Sequence, residues 1–352
     1  MSPRPFAVGR RRIGTGEPVF VIAEAGVNHN GDLDLARRLI DVAADAGADA
    51  VKFQTFRTEA LVSGAAPKAR YQLETTGSEE SQQAMLARLE LSPAAHVTLR
   101  DRARERGIVF FSTPFDEASA DLLDGLGVEL LKVPSGEVTN LPLLRHVAAK
   151  RRPVLISTGM CTLAEVETAV ATVQAAGDPP LALLHCVSAY PAPVEDTNLR
   201  AMDTLRARFG CPVGLSDHSL GIAIALAAVA RGATILEKHV TLDKTLPGPD
   251  HRASLEPAEL TALVRGVRAI EAALGDGDKR PMPSELDTRA VARRSLVAAH
   301  ALPAGHRLTR GDVAIKRPGT GLGPAELERV LGRRLRRAVT ADELLEWSAL
   351  ES

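Results

Sequence analysis

Two histidines define the chemistry this sequence could perform. His218 closes the run PVGLSDH, His239 closes ATILEKH, and one helix-sized apolar segment lies between them. Side chains alternate faces along a strand, so Gly214, Ser216 and His218 share one side of the first run, while Glu237 and His239 share one side of the second. On neighbouring parallel strands these residues aim two imidazoles and a carboxylate into one space. That donor set suits a divalent metal with open coordination positions. Asp217 stands beside the first histidine. A lone strand-end histidine is more often a hydrogen-bonded structural residue, and His185, which has no such companion, is read as structural or as support for a ligand.

Lys52 in AVKFQ and Lys132 in ELLKVPS sit in otherwise apolar strand sequences. An ammonium facing into a parallel sheet is costly to bury unless an anion neutralises it. A bound phosphate or carboxylate is the natural partner, and the alternative is a buried ion pair with Glu24 or Glu137. SGE at 135–137 and STGM at 157–160 offer hydroxyls and backbone donors to a phosphate, although Ser-Gly also marks plain turns. Glu24 and Glu137 could act as general acid or base, with Asp250 as a third carboxylate, against solvated or capping roles for each alone. Arg317 in KRPG reads by itself as surface charge.

These residues share a position along the chain. Apolar, β-like runs at 19–26, 50–55, 108–115, 128–137, 153–160, 181–191 and the two histidine-bearing runs alternate with helical spacing at 33–46, up to 106, from 116, and at 143–149, 163–176, 198–209 and 256–274. Nearly every reactive side chain, including Gln54, Thr113, Ser135, Thr158 and Tyr190, stands at or just past the C-terminal end of one of these runs. Eight β/α units over about 255 residues match a closed parallel barrel, which gathers all such ends around one mouth. An open doubly wound sheet would not bring eight of them to one centre. Residues 57–80 read as irregular and polar, a connection long enough to suggest a substrate-covering loop. The sequence therefore predicts an α/β fold: a (β/α)8 TIM barrel over 1–274, a Gly/Pro/charge-rich linker over 275–292, and a small β-rich domain over 293–352 that packs on the barrel or on a second subunit.

A formal net charge of -1 and 3% aromatic residues give no footprint for nucleic acid. The longest apolar run, 222–230, is too short to span a bilayer, and the arginine-bearing start has no apolar core of a signal peptide behind it. Cys161, Cys186 and Cys211 are odd in number and widely spaced, as expected of reduced thiols in a cytoplasmic protein.

The motifs VIAEAGVNHNG, VKFQTF, FFSTPFD, KVPSGE, ISTGM, LLHCVSAYPAP, GLSDHSLG, LEKHVTLDKTLPGPDH and IKRPGTGL make the chain resemble the sialic acid synthase family, in the family's order and over nearly its whole length. The resemblance implies a (β/α)8 barrel followed by an antifreeze-like SAF (β-clip) domain, assembled as a domain-swapped homodimer. It implies condensation of phosphoenolpyruvate with an open-chain N-acetylated aldose, releasing phosphate and giving a nine-carbon 2-keto sugar acid. By the same resemblance His218 and His239 bind Mn2+ or Mg2+, while Lys52, Thr113, Lys132, Ser135 and Ser188 hold phosphoenolpyruvate. Glu137 would lie close to its reacting carbons, Gln54, Tyr190, Glu24 and Asp250 would position the sugar, and Glu237 would orient a ligand or water. Arg317 would reach across the dimer to the sugar's N-acetyl group.

The expected reaction is synthesis of N-acetylneuraminate from N-acetylmannosamine. The alternative acceptor is a 2,4-diacetamido-2,4,6-trideoxyhexose, giving N,N'-diacetyllegionaminate or pseudaminate. A metal-dependent barrel hydrolase would want more metal-binding histidines than these two. An ice- or pilus-binding protein would leave the inward lysines and histidines without a purpose.

Overall fold

The computed structural model describes residues 5–351, and the chain divides into two compact units, one ending at Gly275 and the other beginning at Asp276. In the first unit an antiparallel pair, β1 (Phe6–Val8) and β2 (Arg11–Ile13), precedes eight strands: β3 (Phe20–Gly26), β4 (Ala50–Thr55), β5 (Val109–Pro114), β6 (Leu131–Val133), β7 (Val154–Ser157), β8 (Leu181–Cys186), β9 (Val213–Asp217) and β10 (Ile235–His239). Every ladder among the eight is parallel, in the order β5-β4-β3-β10-β9-β8-β7-β6. β5 and β6 lie against each other, so the sheet curls into a nearly closed TIM-type barrel.

The connections are α1 (Leu33–Asp45), α2 (Thr58–Leu61), α3 (Arg70–Thr76), α4 (Gln82–Ala87), α5 (Pro93–Arg106), α6 (Glu117–Gly125), α7 (Leu141–Ala149), α8 (Leu163–Ala176), α9 (Ala201–Phe209), α10 (Ala223–Ala230) and α11 (Pro257–Leu274). Helices cover the outside of the barrel, so strands such as FVIAEAG are buried along their whole length and read as apolar runs rather than alternations. α1 shows how a helix starts and docks: the Asp32 carboxylate accepts from the amides of Asp34 and Leu35, and Ala36, Leu39, Ile40 and Ala43 form the buried face.

Three local departures from the sequence reading have physical causes. The extended stretch expected over 128–137 yields only the three residues of β6, because Pro134 has no amide to continue the ladder and Ser135–Glu137 turns into a 3-10 helix. The loop expected over 57–80 is not irregular; it contains α2 and α3, and α4 follows, capped by the Ser81 hydroxyl accepting from the Ala84 amide at 3.1 Å. These helices pack Met85 and Leu89 on Val27 and Phe56, a small apolar cluster separate from the main core. The linker expected over 275–292 carries a helix, α12 (Leu286–Ala292), with no buried residue.

The second unit is described by itself. β11 (Ser295–Ala298) and β12 (Val313–Lys316) pair antiparallel, and isolated bridges join Leu302 to Val339 and Leu335 to Leu350. Together with α13 (Leu327–Val330) they enclose a core of Leu296, Leu302, Leu308, Val313, Val330, Leu335, Val339, Leu345 and Leu350.

Candidate active site

At the C-terminal ends of the barrel strands the alternation read from the sequence turns polar groups inward. Lys132 Nζ donates to both carboxylate oxygens of Glu237, at 3.1 and 3.2 Å, and the Ser216 hydroxyl donates to the same carboxylate at 2.9 Å. Lys52 Nζ donates to Thr113 Oγ1 at 3.0 Å and lies 2.9 Å from Glu24 Oε2 and 3.8 Å from Glu237 Oε1. Gln54 donates weakly to Glu24, at 3.4 Å. The lysines therefore meet Glu24 and Glu237. Glu137, offered above as a possible ion-pair partner, instead accepts from Asn140 Nδ2 at 2.7 Å and does not line the cavity. The physical reason is phase: Glu237 shares the inward face of β10, whereas Glu137 follows Pro134 in a turn.

This packing of charges separates the two carboxyl groups. Burial pushes the Glu24 carboxyl up to about 7; Lys52 opposes the shift and the charge on Glu237 adds to it. Burial acts on Glu237 in the same sense, but Lys132, Lys52 and the Ser216 hydroxyl outweigh it and hold that carboxyl at about 2. Near neutral pH, then, Glu237 is a fixed anion and Glu24 can hold or release a proton.

His218 and His239 face each other with ring centroids 5.3 Å apart. His218 Nδ1 donates to the Val187 carbonyl at 2.7 Å, which leaves Nε2 with its lone pair free, the arrangement a metal-binding imidazole needs. His239 Nδ1 is buried without a hydrogen-bond partner, 3.8 Å from Asp250 Oδ2, and Asp250 Oδ1 is also unpartnered. Burial and the neighbouring His218 hold His239 well below the usual imidazole range, so it presents a neutral ring. Two imidazoles with a carboxylate beside them form a donor set that could hold a divalent cation with open coordination positions. Among the described residues no three His, Cys, Asp or Glu side chains form a cage of their own. Tyr190 packs its ring on both histidines, at centroid distances of 4.1 and 5.6 Å, and Tyr71 of α3 stacks on Tyr190 at 4.9 Å.

These groups surround one cavity of about 290 Å³. Glu24, Lys52, Gln54, Thr113, Lys132, Ser135, Tyr190, His218, Glu237, His239 and Asp250 all line it. Ser188 does not line it, although a β-carbon at Gly159 would collide with the Ser188 hydroxyl and sit 2.9 Å from Ser135 Oγ, so the two serines flank the same glycine. The Gly159 amide donates to Ser135 Oγ at 2.9 Å. His185 faces away, its Nε2 on the Thr197 carbonyl at 2.7 Å, in keeping with the structural reading. Arg317 lies exposed in the second unit.

Sequence reasoning missed Tyr71, Cys186 and the apolar lining from Leu61, Val62, Met85 and Leu86, whereas Ser157, which opens the STGM stretch, does line the cavity. Nothing in the short cap helices marks their inward residues. Buried polar atoms without partners concentrate around the cavity: Ser157 Oγ, His239 Nδ1 and Asp250 Oδ1 all belong to its lining. Such groups are expensive to leave unsatisfied, and a polar ligand relieves them.

Comparisons with known proteins agree with this geometry. A model of the NeuB family matches residues 39–279, and a model of the SAF domain matches residues 293–351. N,N'-diacetyllegionaminic acid synthase of Legionella pneumophila is 48% identical over 343 residues, covering 96% of each chain. The Campylobacter jejuni protein of the same name is 47% identical, covering 93% of this chain and 98% of its own. Among solved structures, the N-acetylneuraminic acid synthetase of Leptospira borgpetersenii is similar with a TM-score of 0.72 and 40% identity, covering 81% of this chain and 95% of that one.

Proposed function

The chain belongs to the NeuB family of synthases, and from that premise we propose that it joins phosphoenolpyruvate to the aldehyde carbon of an open-chain N-acetylated aldose. The new bond links C3 of phosphoenolpyruvate to the aldehyde carbon. Water adds at C2, and phosphate leaves with its bridging oxygen as the 2-keto group forms.

Lys52 and Lys132, with the Thr113 and Ser135 hydroxyls, would bind the donor's carboxylate and phosphate. Two ammonium groups face one carboxylate that they hold ionised and one whose carboxyl burial pushes up, a balance that favours an anionic donor. Glu24 would deliver a proton to the oxygen of the former aldehyde, or take one from the water that adds at C2. Tyr190, Gln54 and Asp250 would hold the sugar beside the histidines, turning an encounter into an oriented reaction. His218 and His239 would hold Mn2+ or Mg2+, whose Lewis acidity polarises the acceptor aldehyde.

For the acceptor we favour a 2,4-diacetamido-2,4,6-trideoxyhexose, giving a legionaminate-type product, over the N-acetylmannosamine expected from sequence. Two relatives named for legionaminic acid synthesis are 48% and 47% identical, against 40% for the sialic acid synthetase structure. On the cap side Leu61, Val62, Met85 and Leu86 line the cavity beside Tyr71, Gln72 and Gln82, and the apolar part of that wall offers a place for the methyl group of a 6-deoxy sugar. The proposal includes a cytoplasmic homodimer in which Arg317 of each subunit serves the other's barrel. Mixing His239→Ala with Arg317→Ala subunits is then expected to restore activity, and no recovery would rule out that exchange.

The observation that carries the reading is the convergence of two lysines and two histidines in one buried cavity. It is tested by phosphate release from phosphoenolpyruvate with Mn2+, using either sugar, in wild type and His239→Ala. Release that needs the metal, prefers the diacetamido sugar and is lost in the variant is expected. Equal or better turnover of N-acetylmannosamine would reassign the acceptor, and silence with both would remove the reaction.

A further inference from the structure

β10 is buried along its whole length, yet its fourth residue is a lysine that faces away from the cavity described above. Lys238 is completely buried, and its Nζ donates to Asp217 Oδ2 at 2.7 Å and to the Ser219 carbonyl. The other oxygen of Asp217 accepts from the Ser219 amide at 2.9 Å and from the Ser219 hydroxyl at 2.7 Å. One ammonium thus grips both residues that flank His218, and it is itself the residue before His239.

The position of this pair along the ladder matters. Backbone pairing between β10 and β9 ends at Lys238 opposite Asp217, so His218 and His239 both lie past the last rung of that ladder, while on its other side β10 still pairs with β3 at His239 opposite Glu24. From there on, the Lys238–Asp217–Ser219 contacts take over the work of the missing ladder. A buried ion pair of this kind is often no more stabilising than well-packed apolar residues of the same volume, and neither residue lines the cavity. What the pair does fix is the spacing between β9 and β10 where their own ladder ends.

We propose that Asp217 and Lys238 are positioning residues that hold the His218 and His239 imidazoles at the spacing one divalent cation requires. This rests on the reading of the two histidines as a metal site. Interactions behind a metal ligand typically carry about 10- to 100-fold in metal affinity.

The test is Mn2+ binding to the purified full chain without substrates, by calorimetry, in wild type, in His239→Ala and in the double variant Asp217→Asn/Lys238→Met, with thermal melting alongside. The double variant avoids stranding a buried charge. Its melting temperature is expected to stay within a few degrees of wild type while Mn2+ affinity falls about 10- to 100-fold. Unchanged affinity at unchanged melting temperature overturns the positioning role while leaving the metal reading intact. Equal Mn2+ binding by wild type and His239→Ala overturns the metal reading, and this proposal with it. If the double variant melts too low to measure, Lys238→Arg decides. Its guanidinium keeps the charge but not the geometry between Asp217 and the Ser219 carbonyl, so several-fold weaker Mn2+ binding supports the role and wild-type affinity overturns it.

Discussion

The cavity is bounded by two unlike regions. Its floor consists of strand-end side chains tied to one another: Lys132 to Glu237, Glu237 to Ser216, Lys52 to Thr113 and Glu24, all within 3.2 Å. Its cap consists of short helices, of which α3 buries no residue, resting on a satellite cluster of Val27, Phe56, Met85 and Leu89. The floor is charged and held by backbone ladders, whereas the cap mixes Leu61, Val62, Met85 and Leu86 with Tyr71, Gln72 and Gln82 and stands outside those ladders. Under the proposed reaction, chemistry that must not move would be built on the barrel, and selection among acceptors would fall to a segment that can change without disturbing a ladder. Each region then has its own failure: damage to the floor strikes the donor, and damage to the cap strikes the choice of acceptor.

The largest effect is expected at the floor. Lys132→Met removes one of two cations available to phosphoenolpyruvate and leaves Glu237 paired only with the more distant Lys52. Steady-state kinetics should show kcat/KM for phosphoenolpyruvate falling on the order of 10²–10³-fold, the size of a lost charge-stabilising donor. The ratio of rates with the 6-deoxy and hydroxymethyl acceptors should hold. A variant that lost that discrimination as well would mean floor and cap are one functional unit, and the comparison would fail.

A smaller, complementary effect is expected at the cap. Leu61 is partly buried and lines the cavity, so Leu61→Ser puts a hydroxyl where an apolar contact stood. Apolar contacts of this size are worth about 1–3 kcal/mol, which sets the expected change in acceptor discrimination at roughly 10-fold or somewhat more. KM for phosphoenolpyruvate should stay at its wild-type value. Competition between the two sugars in one reaction measures the ratio directly, and an unmoved ratio would place acceptor selection elsewhere on the cavity wall.

The same contrast explains what could be read in the sequence. His218, His239, Glu237, Lys52 and Lys132 were legible because a charged or imidazole side chain at a fixed phase in an apolar strand has one place to point. Period-2 alternation and a barrel mouth then bring such residues together without further information. The partner of the lysines was harder: Glu24 lies in β3 and Glu137 just past β6, and only the turn at Pro134 shows that Glu137 leaves the cavity while Glu237 takes its place. The cap was illegible for the opposite reason. α2 spans four residues and α3 seven, too short for a helical period to declare a face, so Tyr71 gave no hint that it stacks on Tyr190.

The smallest effect, and the sharpest on the floor itself, concerns Glu24. Its carboxyl is raised from 4.5 to about 7, chiefly by burial, so the native state binds this proton more tightly than the unfolded chain does. That contribution to stability is fully present below the unfolded value and is lost as pH rises through about 7. Glu24→Gln keeps the shape without the titration, so the stability of the variant relative to wild type, followed by melting at each pH, should rise between pH 4.5 and 7.5 by roughly 1–3 kcal/mol. Because an added anion raises the carboxyl further, phosphoenolpyruvate binding near pH 7 should draw in a fraction of a proton, seen as buffer-dependent heats in calorimetry and absent in Glu24→Gln. Identical pH profiles for the two proteins would mean that the Lys52 ammonium, 2.9 Å away, keeps Glu24 ionised throughout. The floor would then be a neutral pair of ion pairs, and the proton assigned to Glu24 in the reaction would have to come from elsewhere.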